Sequence, residues 1–508
     1  MTDKTGKNND GGNKTQDKLP EDNLVTTRHE ITIDGTPIPY TVTTGTIVLR
    51  EETDKKDNDD KRNEADGEQP KASLFFVAYT RDDVDAKEKR PITFSFNGGP
   101  GSSSVWLHLG VLGPKRVLMD DEGWPLPPPY RLVENECSVL DVTDLVFIDP
   151  ISTGFSRPVP GEEAKQFHNF TRDIESVGDF IRLYTTRYKR WSSPKFLAGE
   201  SYGTTRAAGL SGYLQERHGM YLNGIMLVSS VLDFQTIRFT PGNDMPFLLY
   251  LPVYAATAWY HKRLPDDLQQ LELQSLLNQV ETYAMTSYAL ALLKGDALSR
   301  DERQEVVQTL ARYTGLSEDY VDRTDLRIDI QRFTKELLRD QRRTVGRIDS
   351  RYTGIDRDAA GEHFEVDPSM SATSGPYTAT FNDYVRDELQ YESDLPYEIL
   401  ARLYQTWSYK EFEGKFVYVA ETLRKAMTAN PSLKVHVTNG YYDLATPYFA
   451  TEYTFNHLGL DESLRDNVNM SYYEAGHMMY VRKRSLVKMK EELASFVEDA
   501  IPAPQQED

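Results

Sequence analysis

Three short apolar runs, each set off by residues of helical periodicity, constrain the fold of this chain more than anything else in it. DLVFIDP (144–150), KFLAGE (195–200) and GIMLVSS (224–230) are too short for buried helices. They lack the polar alternation of a half-exposed strand, and so suit strands covered on both faces. Helical patterns run between them, one through Tyr188 and one from about Thr204 to Arg217. Strands alternating with helices predict a mostly parallel sheet covered by helices. LKVHVTNG (433–440) and NVNMSYYEAG (467–476) continue the sheet late in the chain, and an amphipathic helix over 483–499 closes it.

Upstream the pattern is that of a strand meander. HEITIDGTPIPYTVTTGTIVL is alternating and β-branched, with Asp34-Gly35 placed as a hairpin turn, and ASLFFVAYT (72–80) and PITFSFN (91–97) read as further strands. Over 232–394 the strand–helix rhythm stops. Apolar residues there recur at helical spacing, as in LPDDLQQLELQSLLNQVETYAMTSYALALL. This predicts a helical insertion capping a core made of 24–231 and 395–500. The polar, Gly-rich residues 1–23 are expected to form a disordered tail, 51–70 an acidic solvated loop, and 501–508 a second tail.

The formal net charge of −21 argues against nucleic acid and against anionic lipid, both of which need a basic face. The single cysteine, Cys137, excludes an internal disulfide and a cysteine-based metal site. The first residues contain no apolar signal core, and no window approaches a membrane span. The expectation is a cytoplasmic protein, or a periplasmic or secreted one if a signal has been removed.

Chemistry enters at Gly199-Glu200-Ser201-Tyr202-Gly203, which matches G-x-S-x-G between a predicted strand and a predicted helix. A turn this tight leaves no room for side chains at its flanking glycines and pushes the serine hydroxyl clear of the sheet. Acyl transfer also needs two backbone N–H donors for the oxyanion. One follows the nucleophile, here Tyr202; the other is expected from the glycine-rich loop after PITFSF, with Gly99 as donor and Gly98 beside it. Of the nine histidines, His477 lies just after the last strand, where a loop can bring its imidazole to the serine. Asp443, after the strand VHVTNG, completes the order Ser, acid, His of the α/β-hydrolase fold. His108 and His436 read as structural.

The ordered set NGGPGSSS, LDVTDLVFIDPISTGFSR, GESYG, NGYYDLATP and AGHMM resembles the serine carboxypeptidase family in its bacterial form, over roughly 94–480. The resemblance implies an α/β-hydrolase with a helical insertion. It also implies removal of C-terminal residues through an acyl-enzyme on Ser201, His477 and Asp443, with no metal or organic cofactor. By the same resemblance Asn97 and Glu200 bind the substrate's terminal carboxylate, and Met478 is a candidate for a side-chain pocket. A glutamate facing a carboxylate must be protonated to donate a hydrogen bond. Two positions depart from the family pattern: Ser95 stands where many members have Trp, and Val111 where many have a second Glu that partners the first. A raised pKa at Glu200 would then rest on burial alone. Peptide C-termini are the expected substrate. An esterase, acyltransferase or other peptidase on the same fold, and a non-catalytic binding protein, are the alternatives.

Overall fold

The computed structural model describes residues 20–51 and 69–502. The expected tails and the acidic stretch of 51–70 lie largely outside them. Nine strands form the main path of one sheet: β1 (Asn23–Ile33), β2 (Thr36–Glu51), β3 (Gln69–Arg81), β4 (Ile92–Phe96), β5 (Asp144–Ile148), β6 (Lys195–Glu200), β7 (Gly224–Val228), β8 (Lys434–Gly440) and β9 (Val468–Tyr473). Their spatial order is β1-β2-β3-β5-β4-β6-β7-β8-β9, and Arg157–Pro158 pairs with β3 off this path. The first three strands and the β3–β5 pair are antiparallel; every pairing from β5 through β9 is parallel. Asp34 and Gly35, both at positive φ (49° and 74°), make the two-residue turn between β1 and β2, as the sequence predicts.

The apolar runs are continuous because both faces of the sheet are covered. In β3, Phe75, Val77 and Tyr79 enter one core while Leu74, Phe76 and Ala78 enter the other. In β7 the same division separates Met226 and Val228 from Ile225 and Leu227. The second face is covered by α1 (Phe170–Arg187) and α2 (Tyr202–His218), joined late in the chain by α7 (Ala420–Ala429). The first is covered by α8 (Lys483–Asp499), through Leu486, Met489, Leu493 and Val497, and by α6 (Pro368–Asp387), through Tyr377, Phe381, Tyr384 and Val385. Thus α6, which falls within the stretch read as insertion, serves the sheet.

The remainder of that stretch builds a separate core. At its centre is α3 (Met245–Tyr260), whose residues from Leu249 to Ala258 are all buried. A helix that is apolar on every side must be surrounded, and here α4 (Leu273–Tyr283), α5 (Arg300–Thr314) and Phe333 surround it. Pro246 sits at the start of α3, where no N–H is needed, while Pro252 lies inside it. Among the described residues no helix is long and apolar enough to cross a membrane.

The lower end of the parallel sheet is tied by charge. Asp144, at the start of β5 and 1% exposed, accepts from Arg90 Nε (2.9 Å) and from Arg190 Nη1 (2.6 Å). Removing one partner of such a buried cluster leaves the others uncompensated. Asp144→Ala is expected to lower the free energy of unfolding by about 3–5 kcal/mol in a denaturant titration. A loss below about 1 kcal/mol, the range of surface pairs, would show that the cluster braces nothing.

Candidate active site

Ser201 occupies the turn between β6 and α2 at φ 60° and ψ −129°, a conformation costly for any residue with a side chain. The turn is held by Ser201 N donating to Val228 O (2.9 Å) and by the amide and hydroxyl of Thr204 donating to Ser201 O (2.8 and 2.7 Å). The flanking glycines are obligatory here. A Cβ on Gly199 would stand 2.2 Å from Gly203 O, and one on Gly203 would stand 2.8 Å from Phe96 O.

The glycine-rich loop after β4 lies against this turn. A Cβ on Gly98 would sit 2.4 Å from Tyr202 N, so the loop touches the amide expected to serve the oxyanion, and Gly99 follows at φ 103°. Three contacts hold the loop there. Arg206 of α2 donates to Asn97 O (2.5 Å) and pairs with buried Asp173 (2.9 Å). Asn97 Oδ1 accepts from Leu107 N (3.1 Å). Asp149, just past β5, accepts from the amide and hydroxyl of Ser104 (2.8 and 2.9 Å).

Asp443 and His477 meet in a buried hydrogen bond. Asp443, fully buried, accepts at Oδ1 from Ala445 N (2.7 Å) and Thr446 N (3.0 Å). Its Oδ2 accepts from Thr446 Oγ1 and from His477 Nδ1, both at 2.7 Å. A carboxylate only accepts, so Nδ1 carries the proton and Nε2 is left as the acceptor. Burial pulls the His477 imidazole down, but the Asp443 carboxylate and then Glu200 outweigh it, holding its pKa above the ordinary histidine value.

Glu200, next in the chain to Ser201, is buried. Burial pushes its pKa up to about 7, against the opposing pull of a His477 charge and of hydrogen bonds from Tyr480 and Asn97. The Tyr480 hydroxyl donates to Glu200 Oε2 at 2.6 Å. Its ring fits because position 110 is glycine: a Cβ there would stand 2.3 Å from Tyr480 Cε2. Val111 is wholly buried in the apolar core and supplies no carboxyl. Burial is thus the first cause of the shift, as expected, and Tyr480 is a partner that the sequence reading missed.

Asn97, Gly98, Gly99, Glu200, Ser201, Tyr202, His477 and Met478 line one cleft of about 750 Å³, with Asp443 behind His477. His108 and His436 do not line it: His108 is bonded to the Tyr79 hydroxyl (2.6 Å) and driven by burial down to about 3, and His436 is buried in β8. The sequence reading also missed residues 346–352. Ile348 O accepts from His477 N (2.8 Å), Arg347 O from Leu444 N (3.0 Å), Tyr442 O from Ser350 N (2.9 Å), and Asp349 Oδ2 from Gly476 N (3.0 Å). Nothing in their local pattern announces this bracing, because every partner is distant in sequence. Among the described residues no group of three or more His, Cys, Asp or Glu is placed to hold a metal ion.

The sheet order, the turn at Ser201 and the acid and histidine on the loops after β8 and β9 define an α/β-hydrolase. The chain belongs to the serine carboxypeptidase family, whose model matches residues 65–493. It is 35% identical over 166 residues to the pheromone-processing carboxypeptidase KEX1 of Saccharomyces cerevisiae strain JAY291, a match covering 31% of this chain and 20% of that protein. Against a carboxypeptidase Y homolog of Arthroderma benhamiae it is 30% identical over 163 residues, covering 31% and 29%. These matches span less than a third of either relative's length. The crystal structure of the S. cerevisiae prohormone-processing carboxypeptidase Kex1Δp has the same fold, with a TM-score of 0.56 at 18% identity over 90% of this chain and 91% of that one.

The contact of Gly98 with the Tyr202 amide generates a test. In Gly98→Ala the backbone clash forces the loop back, and kcat for a small activated ester is expected to fall about 100-fold, the cost of one oxyanion donor. Thermal unfolding measured alongside separates this from loss of fold, and a kcat near wild type would show that the loop serves no oxyanion.

Proposed function

We propose that this chain is a serine carboxypeptidase that releases C-terminal residues from peptides. The observation that carries the reading is the cleft itself, which is lined by a serine on a forced turn, a histidine bound to a buried carboxylate, and a second carboxyl with a pKa of about 7. Ser201 Oγ attacks the carbonyl of the last peptide bond while His477 Nε2 takes its proton. Asp443 holds the imidazole in the correct tautomer and stabilises the imidazolium. The amides of Tyr202 and Gly99 receive the oxyanion. The proton then passes to the departing amino acid, and water hydrolyses the acyl-enzyme by the same route in reverse.

Exopeptidase specificity requires a site that reads a free carboxylate. Neutral Glu200 has one O–H to give, and Asn97 supplies an amide beside it; an ionised Glu200 would repel the substrate instead. With a pKa of about 7, the donor form is the major one below pH 7 and is lost as the pH rises through that value. The upper limb of activity is therefore assigned to carboxylate binding and the lower limb to protonation of His477.

Ser201→Ala is expected to lower kcat by about 10⁶-fold with the fold intact and to abolish labelling by a fluorophosphonate. Amidating a peptide's C-terminus is expected to cost at least about 100-fold in kcat/KM, because the buried donors lose their partner; equal rates on both forms would favour an esterase-like enzyme. In the wild type, KM for a free-carboxylate peptide rises above pH 7, whereas in Glu200→Gln that rise is absent. Coincident KM profiles would remove the carboxylate-binding role from Glu200.

A further inference from the structure

The cleft differs in charge from the molecule around it. The sequence holds 79 acidic and 58 basic residues, yet the cleft is lined by three arginines, Arg238, Arg347 and Arg402, and by a single carboxyl, Glu200. Elsewhere, arginines that are buried are neutralised: Arg190 by Asp144, Arg206 by Asp173, Arg351 by Asp349. Among the described residues none of the three cleft arginines makes an ion pair. The carboxylate nearest in the structure to the Arg347 backbone, Asp367, is occupied by amides, accepting from Arg347 N (3.2 Å), Ile348 N (3.3 Å) and Ser369 N (3.0 Å). Arg238 lies over the Phe234 ring, 5.4 Å from its centroid, a contact that holds the guanidinium without neutralising it.

The sheet order places these charges relative to the nucleophile. Ser201 follows β6. Asn97 follows β4 on one side of it, while the segment from Val231 to Arg238 follows β7 on the other. Arg347 is fixed on that second side, its carbonyl bonded to Leu444 N next to Asp443. Both arginines are close enough to act electrostatically on buried Tyr250, which also lines the cleft, and Arg347 acts on His477 as well. Arg402 stands at the exposed mouth, beside Ala401, whose amide donates to Gly101 O. If the terminal carboxylate occupies the β4 side, the acyl portion of a peptide extends along the β7–β8 side, past Arg238 and Arg347.

We infer that the cleft selects peptides carrying Asp or Glu just upstream of the residue to be released. This rests on the carboxypeptidase reading for its direction along the cleft. A guanidinium fork matches a carboxylate with two parallel N–H···O bonds, and an unneutralised one gains most from such a partner. A lysine in the same position meets only like charge.

The test is a set of peptides with one C-terminal residue and Glu, Gln or Lys before it. The kcat/KM for Glu is expected to exceed that for Gln by about tenfold, with Lys below both. The Glu-to-Gln ratio is expected to fall toward one in Arg238→Gln and Arg347→Gln, and to shrink as salt is added, since Arg238 is exposed and Arg347 half-buried. Equal rates on Glu and Gln, a preference for Lys, or a ratio unmoved in both variants would overturn the inference. The same acyl groups offered as ethyl esters, which have no terminal carboxylate, separate it from the exopeptidase reading. A Glu preference on esters without peptide hydrolysis would remove the exopeptidase and keep the acidic subsite. Hydrolysis of both series without a Glu preference would do the reverse.

Discussion

Three backbone segments meet at Ser201 at distances that no side chain would survive, and the rest of the site is arranged around that contact. Gly199 and Gly203 press on each other across the turn, and Gly98 presses on the Tyr202 amide from the neighbouring strand end. A residue at φ 60° and ψ −129° costs about 1–3 kcal/mol, so something must hold Ser201 there. The hydrogen bonds to Val228 and Thr204 do so locally, and Arg206 does so at longer range by clamping Asn97 O to the same helix that begins at the serine. The Ser201 turn and the glycine-rich loop are thereby tied to one helix.

The second constraint is electrostatic. Three ionisable groups, Glu200, His477 and Asp443, are buried within reach of one another, and each biases the next. Asp443 is held by four donors, and its carboxylate raises the imidazole pKa. Glu200 has two donors, Tyr480 and Asn97, and burial prevails over both. By the family resemblance, a second carboxyl at position 111 would partner Glu200 and raise its pKa by like-charge repulsion. A phenol at Tyr480 works in the opposite direction, since a donor favours the ionised form. That the shift still reaches about 7 shows how strongly burial desolvates this corner, where Tyr377 and Tyr480 are near enough to feel the Glu200 charge.

The parts legible in the sequence were those whose physics is local. Two-face burial makes an apolar run continuous, which is why β5, β6 and β7 stand out. A two-residue turn needs positive φ, which is why Asp34-Gly35 does. Ser201, Asp443 and His477 stood out as candidates because each follows a strand, in the order an α/β-hydrolase fold would use. What escaped notice depends on partners far away in the chain. Tyr480 looks like one more residue after a histidine until Glu200, 280 positions earlier, accepts from it. Residues 346–352 have no periodicity of their own, and their backbone finds its partners at 442–444 and 476–477. Helix α6 carries the same spacing as the cap helices, and only packing assigns it to the sheet.

The bracing by 346–352 gives the insertion a double role. One end of that segment, through the Ser350 hydroxyl, is bonded to Thr257 in the last turn of α3 at 2.6 Å. The other end carries the carbonyls that receive His477 N and Leu444 N, and Arg347 projects from it into the cleft. The segment that puts Arg347 into the cleft is therefore also the one that braces the loops carrying Asp443 and His477. A cap that merely covered the cleft could be exchanged without touching the chemistry. Here the side chain at 347 can change charge while the carbonyls at 347 and 348 stay in place, so specificity is free to vary at side chains and catalysis is held by the backbone.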